Sequence, residues 1–266
     1  MSRDDADATP IIDAASIVAL IPAAGRATRL GALPCSKEIF PVGFKPDSDG
    51  LPRPEPVSGP MLRSMGEAGI ERALWILRDG KWDVASRLGD GAEWGIDLGY
   101  LAVRPTRCVP ETLARALPWT QGADVALGFP DILLRPGDVW RRLVQFHRSH
   151  DGDMSLGLFP TDQAWKADMV DFDAAGRLLD IRIKDPACTY HWTWSIAIWR
   201  PRMTTFLQDW VEALPADTAG SELYVGDVWI DALKSGLDLR VLPFEHGTFL
   251  DIGTPDDLRR AVRDGS

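Results

Sequence analysis

Two cations follow a loop of small residues near the start of the chain. The apolar, β-branched run Ile17 to Ile21 predicts a buried strand, and the residues from Ala23 to Gly25 come directly after it. Small residues let backbone N–H groups approach a phosphate closely, and Arg29 and Lys37 would add positive charge. This combination indicates a site for a nucleoside triphosphate.

Two common phosphate-loop motifs are absent from this stretch. Neither G-x-G-x-x-G nor G-x-x-x-x-G-K-[ST] occurs there, which argues against a dinucleotide fingerprint and against a P-loop. Taken alone, a small-residue loop with two cations is also compatible with a tight surface turn. The interpretation therefore depends on the whole string of residues.

The string from Ser16 to Val42 resembles the signature G-x-G-T-R-(x)n-P-K-x-x-x-P-V of the sugar-1-phosphate nucleotidylyltransferases. The pattern falls on Gly25, Ala27, Thr28, Arg29, Lys37, Pro41 and Val42. The lead-in IPAAG and the pair Lys37-Glu38 are most similar to the bacterial UTP–glucose-1-phosphate uridylyltransferase branch. Two positions depart from the pattern: Ala27 stands where a glycine is usual, and Ser36 stands where a proline usually precedes the lysine.

Later strings resemble the same family in the same order along the chain. They are FPDILL (129–134), DFDAAGRLLDIRIKDP (171–186), SIAIWRP (195–201), GSELYVGDVWIDAL (220–233) and FLDIGTPDDL (249–258). The last string is close to that of the thymidylyl- and mannose-type members. Because the matches run in order from residue 17 to residue 262, they are more specific together than any one motif.

The resemblance implies a role for each matched residue. The implied catalytic residues are Arg29, which would stabilise the leaving pyrophosphate, and Lys37, which would bridge the α-phosphate and the acceptor phosphate. The implied nucleotide-binding residues are Ala23, Ala24, Gly25, Thr28 and Arg29. The implied acceptor-binding residues are Lys184, Trp194, Ser195 and Glu222. The implied ligands of the cofactor Mg²⁺ are Asp131 and Asp251.

The implied reaction needs little covalent help from the protein. An ionised phosphate oxygen of the acceptor would attack the α-phosphorus of a nucleoside triphosphate, and pyrophosphate would leave. Catalysis of such a transfer consists of positioning and charge stabilisation, usually with Mg²⁺. No nucleophilic side chain is required.

Each candidate residue also fits a structural role when it is taken alone. Asp131 and Asp251 are compatible with turn caps, and Lys184 is compatible with a solvated hairpin residue. His147 and His150 lie three apart on a predicted helix, but no third ligand is evident. For this histidine pair we expect a surface helix face rather than a metal site.

The acceptor half departs from the family pattern, and three hypotheses stay open. Ile183 stands where the family's E-K-P motif has a glutamate that contacts sugar hydroxyls. Ser195 stands in place of a glycine, and Tyr190 in place of an asparagine. Trp192 and Trp194 share one face of their strand.

The first hypothesis is an enzyme that uses UTP or dTTP and a sugar-1-phosphate. The second is a CTP-dependent enzyme for a phosphocholine- or phosphonate-type acceptor, and the third is a non-catalytic protein that binds nucleotide sugars.

Strand and helix patterns alternate along the chain. Strands are predicted at 17–21, 73–77, 98–103, 124–128, 154–159, 169–172, 179–183, 192–199, 239–243 and 248–251. Helices are predicted at 58–69, 82–88, 110–117, 137–150, 202–214, 222–235 and 255–263, with Ser58 and Thr254 as N-caps. This order predicts an α/β protein with a Rossmann-like, mostly parallel mixed sheet and helices on both faces. The resemblance implies the nucleotide-diphospho-sugar transferase fold. In such sheets ligands bind at the carboxyl ends of strands.

The chain is expected to form one domain after a flexible tail. Residues 1–15 are polar and acidic and predict the tail, and residues 16–266 predict a single nucleotidyltransferase domain. Within it, the nucleotide-binding part covers about 16–150 and the acceptor-binding part about 151–266. The segment Gly43 to Pro56 is dense in Gly, Pro and Asp, which predicts irregular structure: a surface loop, a lid or an oligomer contact.

Composition limits the classes of partner. The formal net charge of −10 argues against general binding to nucleic acid or to an anionic membrane. The three cysteines have no metal-binding spacing and read as free thiols of a reducing compartment, so a cytoplasmic location is expected. The expected partners are a nucleoside triphosphate and a phosphorylated small-molecule acceptor. A homo-oligomer stays open.

Overall fold

The structure, a computed structural model, describes residues 16–46, 49–120, 122–215 and 223–264. The expected tail, residues 1–15, lies outside them. The strands are β1 (Ile17–Pro22), β2 (Pro41–Pro46), β3 (Pro52–Pro56), β4 (Arg72–Arg78), β5 (Asp97–Val103), β6 (Asp124–Leu127), β7 (Ile132–Arg135), β8 (Met154–Pro160), β9 (Asp168–Phe172), β10 (Leu178–Ile183), β11 (Trp192–Trp199), β12 (Leu239–Pro243) and β13 (Thr248–Asp251). The helices are α1 (Gly59–Glu67), α2 (Trp82–Leu88), α3 (Val109–Ala114), α4 (Val139–Arg148), α5 (Pro201–Glu212), α6 (Val225–Lys234) and α7 (Pro255–Asp264).

One mixed sheet of nine strands forms the centre of the molecule. Seven of its strands follow the order β10-β9-β11-β6-β1-β4-β5, while β8 pairs with β11 and β12 pairs with β8. The neighbours β6, β1, β4 and β5 run parallel, and β11 is antiparallel to β6, β8 and β9. The predicted α/β class is confirmed: β6, β1, β4 and β5 form a parallel part, and the strands of the second half of the chain pair antiparallel, except that β12 runs parallel to β8.

Both faces of the sheet are buried, because successive strand residues point to opposite sides. In β1, Leu20 joins a core cluster that includes apolar residues of α3, α5 and α6, whereas Ala19 and Ile21 join a cluster with residues of α1, α2 and α4. All three residues are fully buried. The loop after β1 is therefore anchored by a strand that is packed on both sides.

The described residues of the segment from Gly43 to Pro56 form most of two paired strands, so the prediction of irregular structure was wrong. Strands β2 and β3 pair antiparallel, with Phe44 opposite Pro54 and Lys45 opposite Arg53. Proline cannot donate to a ladder, but in a sheet of only two strands every strand is an edge and can carry proline on its outer side. Periodicity is hidden in this segment because its prolines and glycines dominate the pattern.

The pair β7 and β13 is a second small sheet, and β7 was not predicted. The strands are antiparallel, with Asp251 opposite Ile132. The backbone N–H of Ile252 also donates to the carbonyl of Asp131 over 2.9 Å. This pairing brings two carboxylates that lie 120 positions apart in the sequence to the same place.

One local prediction was wrong, and two N-cap positions were confirmed. His147 is fully buried and not on a surface face, because α4 packs on β8, where Ser155 Oγ lies 2.8 Å from His147 Nδ1. Ser58 is the N-cap of α1, as predicted, but its side chain makes no capping hydrogen bond. The Thr254 cap is confirmed, since its hydroxyl oxygen accepts the N–H of Asp257 over 3.3 Å while its own N–H donates to the Asp257 carboxylate.

Among the described residues, we find no helix with both the length and the apolar character that crossing a bilayer requires.

Candidate active site

Two cavities meet at the carboxyl ends of β1 and β6. The smaller has a volume of about 340 Å³, and its lining includes Ala24, Gly25 and Lys37. The larger has a volume of about 570 Å³, and its lining includes Arg29, Lys184, Trp194, Ser195 and Asp251. Three residues line both cavities: Val109, Phe129 and Asp131. The arrangement offers room for two ligands on either side of one junction at Asp131.

The small-residue loop covers one wall of the smaller cavity. Ala23 is buried beneath it and donates its N–H to the carbonyl of Ile76 over 2.9 Å. Gly25 is exposed to solvent, and Thr28 begins a short 3-10 turn, Thr28–Leu30. Of the predicted loop residues, Ala24 and Gly25 line this cavity, while Ala23 and Thr28 lie outside both linings.

Lys37 lies at the junction, on a short 3-10 helix, Lys37–Ile39. Its ammonium group forms an ion pair with the carboxylate of Asp131, and both side chains are 18% exposed. Burial alone would lower the pKa of Lys37, but the charge and hydrogen bond of Asp131, with the charges of Glu38 and Asp251, raise it above its ordinary value. The site therefore holds a fixed positive charge at neutral pH.

The residues on each side of Lys37 are bound by two residues at the start of α2, Lys81 just before the helix and Asp83 within it. Glu38 forms an ion pair of 2.5 Å with Lys81, and both side chains are buried. Ser36 donates its backbone N–H and its hydroxyl to the two carboxylate oxygens of Asp83, over 2.7 and 2.8 Å. These contacts fix the backbone that carries Lys37. No local pattern in the sequence predicts these contacts, because each pair is more than forty residues apart.

The carboxylates of Asp131 and Asp251 both line the larger cavity. Burial first, and then the negative charge of Asp131, raise the pKa of Asp251. This mutual repulsion would be relieved by a cation between the two groups. Among the described residues no cluster of three or more acids, histidines or cysteines fits a metal ion. Two carboxylates suit Mg²⁺, which completes its shell with waters and substrate phosphates, better than a metal that needs a full protein cage.

Arg29 is exposed at the mouth of the larger cavity. Its Nη2 atom lies 3.3 Å from the position that a Cβ atom would take at Gly253, so this glycine leaves room for the guanidinium. Arg29 is also close enough to Asp251 to lower the pKa of that carboxyl in part, against the larger effect of burial. A movable cation is thus available to a phosphate that enters this side.

The acceptor-binding prediction falls mostly on the wall of the larger cavity. Lys184 has a positive φ of 45°, and its ammonium lies 3.6 Å from the ring centroid of Tyr224. Trp194 and Ser195 are buried in the wall. Trp192 instead packs against Phe172, with the ring centroids 6.1 Å apart. Glu222 lies outside the described residues.

Comparisons with known proteins give a relative and a fold. No protein-family model matches the chain. A glucose-1-phosphate thymidylyltransferase of Actinoplanes sp. is 29% identical over 232 residues, which is 85% of this chain and 70% of that protein.

Two solved structures share the fold. One is named as a glucose-1-phosphate thymidylyltransferase from Bacillus anthracis, in complex with sucrose; its TM-score is 0.79, with 19% identity over 94% of this chain and 95% of that one. The other is UTP-bound UGPase from Acinetobacter baumannii, with a TM-score of 0.73 and 15% identity over 94% of this chain and 93% of that one. Over most of its length, this chain is thus similar in sequence to a sugar-1-phosphate nucleotidylyltransferase, and it shares the fold of both solved structures.

Proposed function

We propose that the protein joins the nucleoside monophosphate of UTP or dTTP to a sugar-1-phosphate, with release of pyrophosphate and with Mg²⁺ as cofactor. The observation that carries this proposal is the position of Lys37. Lys37 lines the smaller cavity, and its ammonium group pairs with Asp131, which lines both cavities; that junction is where the α-phosphate of a nucleotide and the phosphate of an acceptor would come together.

Lys37 would hold the two reacting phosphates next to each other. Incoming phosphates would compete with Asp131 for the ammonium group, which then stabilises the charge that builds up on the oxygens around the α-phosphorus. The nucleophile is an oxygen of the acceptor phosphate, which is already ionised at neutral pH. No general base is needed, and the chain's contribution is position and charge.

The other cations and the loop would bind the phosphates that do not react. Backbone N–H groups at Ala24 and Gly25 would contact the nucleotide from the smaller cavity. Arg29 would neutralise the β- and γ-phosphates as pyrophosphate leaves. Lys184 would bind the acceptor phosphate from the opposite wall.

Asp131 and Asp251 would hold Mg²⁺ on the larger-cavity side of the junction. The ion, when bound, neutralises phosphate charge and orients the triphosphate. The raised pKa of Asp251 supports this assignment, since burial and the negative charge of Asp131 outweigh the nearby cations Lys166, Lys37 and Arg29.

The surroundings of Lys184 favour a sugar phosphate over a cationic acceptor. A choline group would need an open aromatic face, but the ammonium of Lys184 already occupies the ring of Tyr224. Trp194 packs against Phe129 and Trp229 and is 7% exposed, so its ring belongs to the core. Among these aromatic residues we therefore find no empty cage for a quaternary ammonium.

The experiment crosses the common nucleoside triphosphates with sugar-1-phosphates, phosphocholine and aminoethylphosphonate, with Mg²⁺, and measures pyrophosphate. We expect release with UTP or dTTP and one sugar-1-phosphate. Release with CTP and phosphocholine would favour the cytidylyltransferase alternative. No release with any pair, together with binding of a nucleotide sugar in calorimetry, would favour a non-catalytic binding protein.

A further inference from the structure

One carboxylate in the larger cavity is not explained by the roles given above. Asp168 is the first residue of β9, is partly buried, and lines the cavity together with Lys184, Trp194 and Ser195. Its backbone carbonyl accepts a hydrogen bond from Thr193, but among the described residues no cation lies within ion-pair distance of its carboxylate. The chain thus keeps a charged group in this wall without an ion-pair partner.

The position of Asp168 is tied to the departure at Ile183. The two residues are cross-strand partners at the open end of the β9–β10 hairpin. A Cβ atom at Gly226 would lie 2.6 Å from Asp168 Oδ2 and 3.2 Å from Ile183 Cδ1, so both side chains point at the first turn of α6. A carboxylate is therefore missing at position 183 and present on the neighbouring strand, in the same small space.

A donor faces the same space. Trp194 is 7% exposed, and its indole N–H makes no hydrogen bond of normal geometry. It does lie close enough to the carboxylate of Asp168 for a weak hydrogen bond that lowers the pKa of that carboxyl in part. The donor and the acceptor therefore lie together in the cavity wall, where both can bind a polar group that enters the cavity.

The charge of Asp168 carries a cost in folding. Burial raises its pKa from 3.8 to about 6, with Trp194 on β11 and Lys184 after β10 opposing the shift and Asp227 on α6 adding to it. Because the folded state binds this proton more tightly than the unfolded chain, stability falls as the pH rises through about 6. Ionised carboxylates that destabilise a fold at neutral pH are typical of binding sites.

We infer that Asp168 binds the hydroxyl groups of the acceptor sugar, in the role that the family resemblance gives to a glutamate at the position of Ile183. The inference rests on the proposed function and specifies its substrate class: a neutral, hydroxyl-bearing sugar whose phosphate contacts Lys184. The glycine at 226 is part of this subsite, since any side chain there would displace the carboxylate.

The test is steady-state kinetics of Asp168→Asn and Asp168→Ala with the best substrate pair. A lost hydrogen bond to a charged group corresponds to roughly a 10- to 100-fold change, so we expect the acceptor KM to rise by about tenfold in D168N and more in D168A. The KM for the nucleotide should stay within about twofold. The control is Asp180→Asn, which removes an exposed carboxylate of the same hairpin that pairs with Arg182 at 2.7 Å.

A rescue separates binding from structure. We expect the double variant D168A/I183E to recover at least part of the acceptor affinity, because it moves the carboxylate back across the strand pair. Thermal unfolding at pH 8 should show D168N to be more stable than wild type. Two results with an active wild type would overturn this inference and leave the proposed function standing. One is an acceptor KM that is unchanged in D168N, and the other is an acceptor affinity that D168A/I183E does not recover relative to D168A. A wild type that releases no pyrophosphate with any pair would overturn the proposed function and, with it, this inference.

Discussion

At the scale of single residues, Ala27 shows how this chain departs from the signature that it resembles without losing the loop. The family signature has a glycine there, and Ala27 has φ 53° and ψ 31°, in the left-handed region. For a residue with a Cβ atom this conformation costs about 1 kcal/mol. The loop therefore keeps the shape that glycine would give it at some cost in stability.

Replacing Ala27 by glycine should relieve this strain. We expect Ala27→Gly to raise the free energy of unfolding by up to about 1 kcal/mol, measured by urea denaturation. The control is Ala24→Gly in the same loop, where φ is not positive; there we expect a small loss, because glycine only adds freedom to the unfolded chain. A lower free energy of unfolding in A27G than in wild type would contradict the inference that Ala27 is strained.

At the scale of elements, the short helix that carries Lys37 is held by α2. A proline at position 36 would stiffen this backbone by itself, but it has no N–H to donate. Ser36 has the dihedral angle φ −58°, which proline also adopts, and it uses its N–H and hydroxyl to bind Asp83. Two hydrogen bonds to a charged carboxylate thus supply the restraint on the backbone that a proline ring would supply.

A double-mutant cycle tests whether the hydrogen bonds of Ser36 to Asp83 restrain the backbone as a proline at position 36 would. We expect Asp83→Ala to destabilise the protein by roughly 2 kcal/mol and to lower kcat, because Lys37 loses its fixed position. Ser36→Pro should keep kcat near wild type. In the S36P background, D83A should have little further effect, since the bonds are already gone. Strictly additive effects of the two changes on kcat would show that Asp83 acts in some other way.

At the scale of the whole molecule, the half-buried His150 makes the fold sensitive to acid. Burial lowers the pKa of His150 to about 4, and the nearby charges of His147, Arg200 and Arg240 add to the effect, against Asp238. His150 Nδ1 also accepts the N–H of Gly152 over 3.0 Å. The unfolded chain therefore binds this proton more tightly, with a pKa near 6.5.

Stability should consequently fall as the pH drops from about 6.5 to 4. His150→Asn keeps an acceptor near the Gly152 N–H but cannot titrate, so we expect it to reduce this loss by on the order of 2 kcal/mol. Urea unfolding at pH 7.5 and pH 5 measures the difference. The exposed His191, replaced by Asn, serves as the control. If wild type and H150N lost the same free energy of unfolding between pH 7.5 and pH 5, this explanation would be contradicted.

The motifs indicated the candidate residues of the site, but not the contacts that bring them together. Lys37, Asp131 and Asp251 were named from motifs, whereas the pairing of β7 with β13, which brings the two carboxylates together, was not predicted. The partners Lys81 and Asp83 could not be found this way, because nothing in local periodicity connects residues so far apart. Strand β7 was missed because only four residues separate Asp131 from its proline boundary at 136.

The most direct test of the central claim follows the phosphates themselves. With the substrate pair identified, ³¹P NMR should show one pyrophosphate and one nucleotide sugar formed for each triphosphate consumed. Lys37→Met should lower kcat by about 100-fold or more. The exposed Lys234, 3.0 Å from Asp231, gives a matched control in Lys234→Met, which should keep wild-type activity. Inorganic phosphate as the product, or an undiminished rate in K37M, would contradict a transfer centred on Lys37.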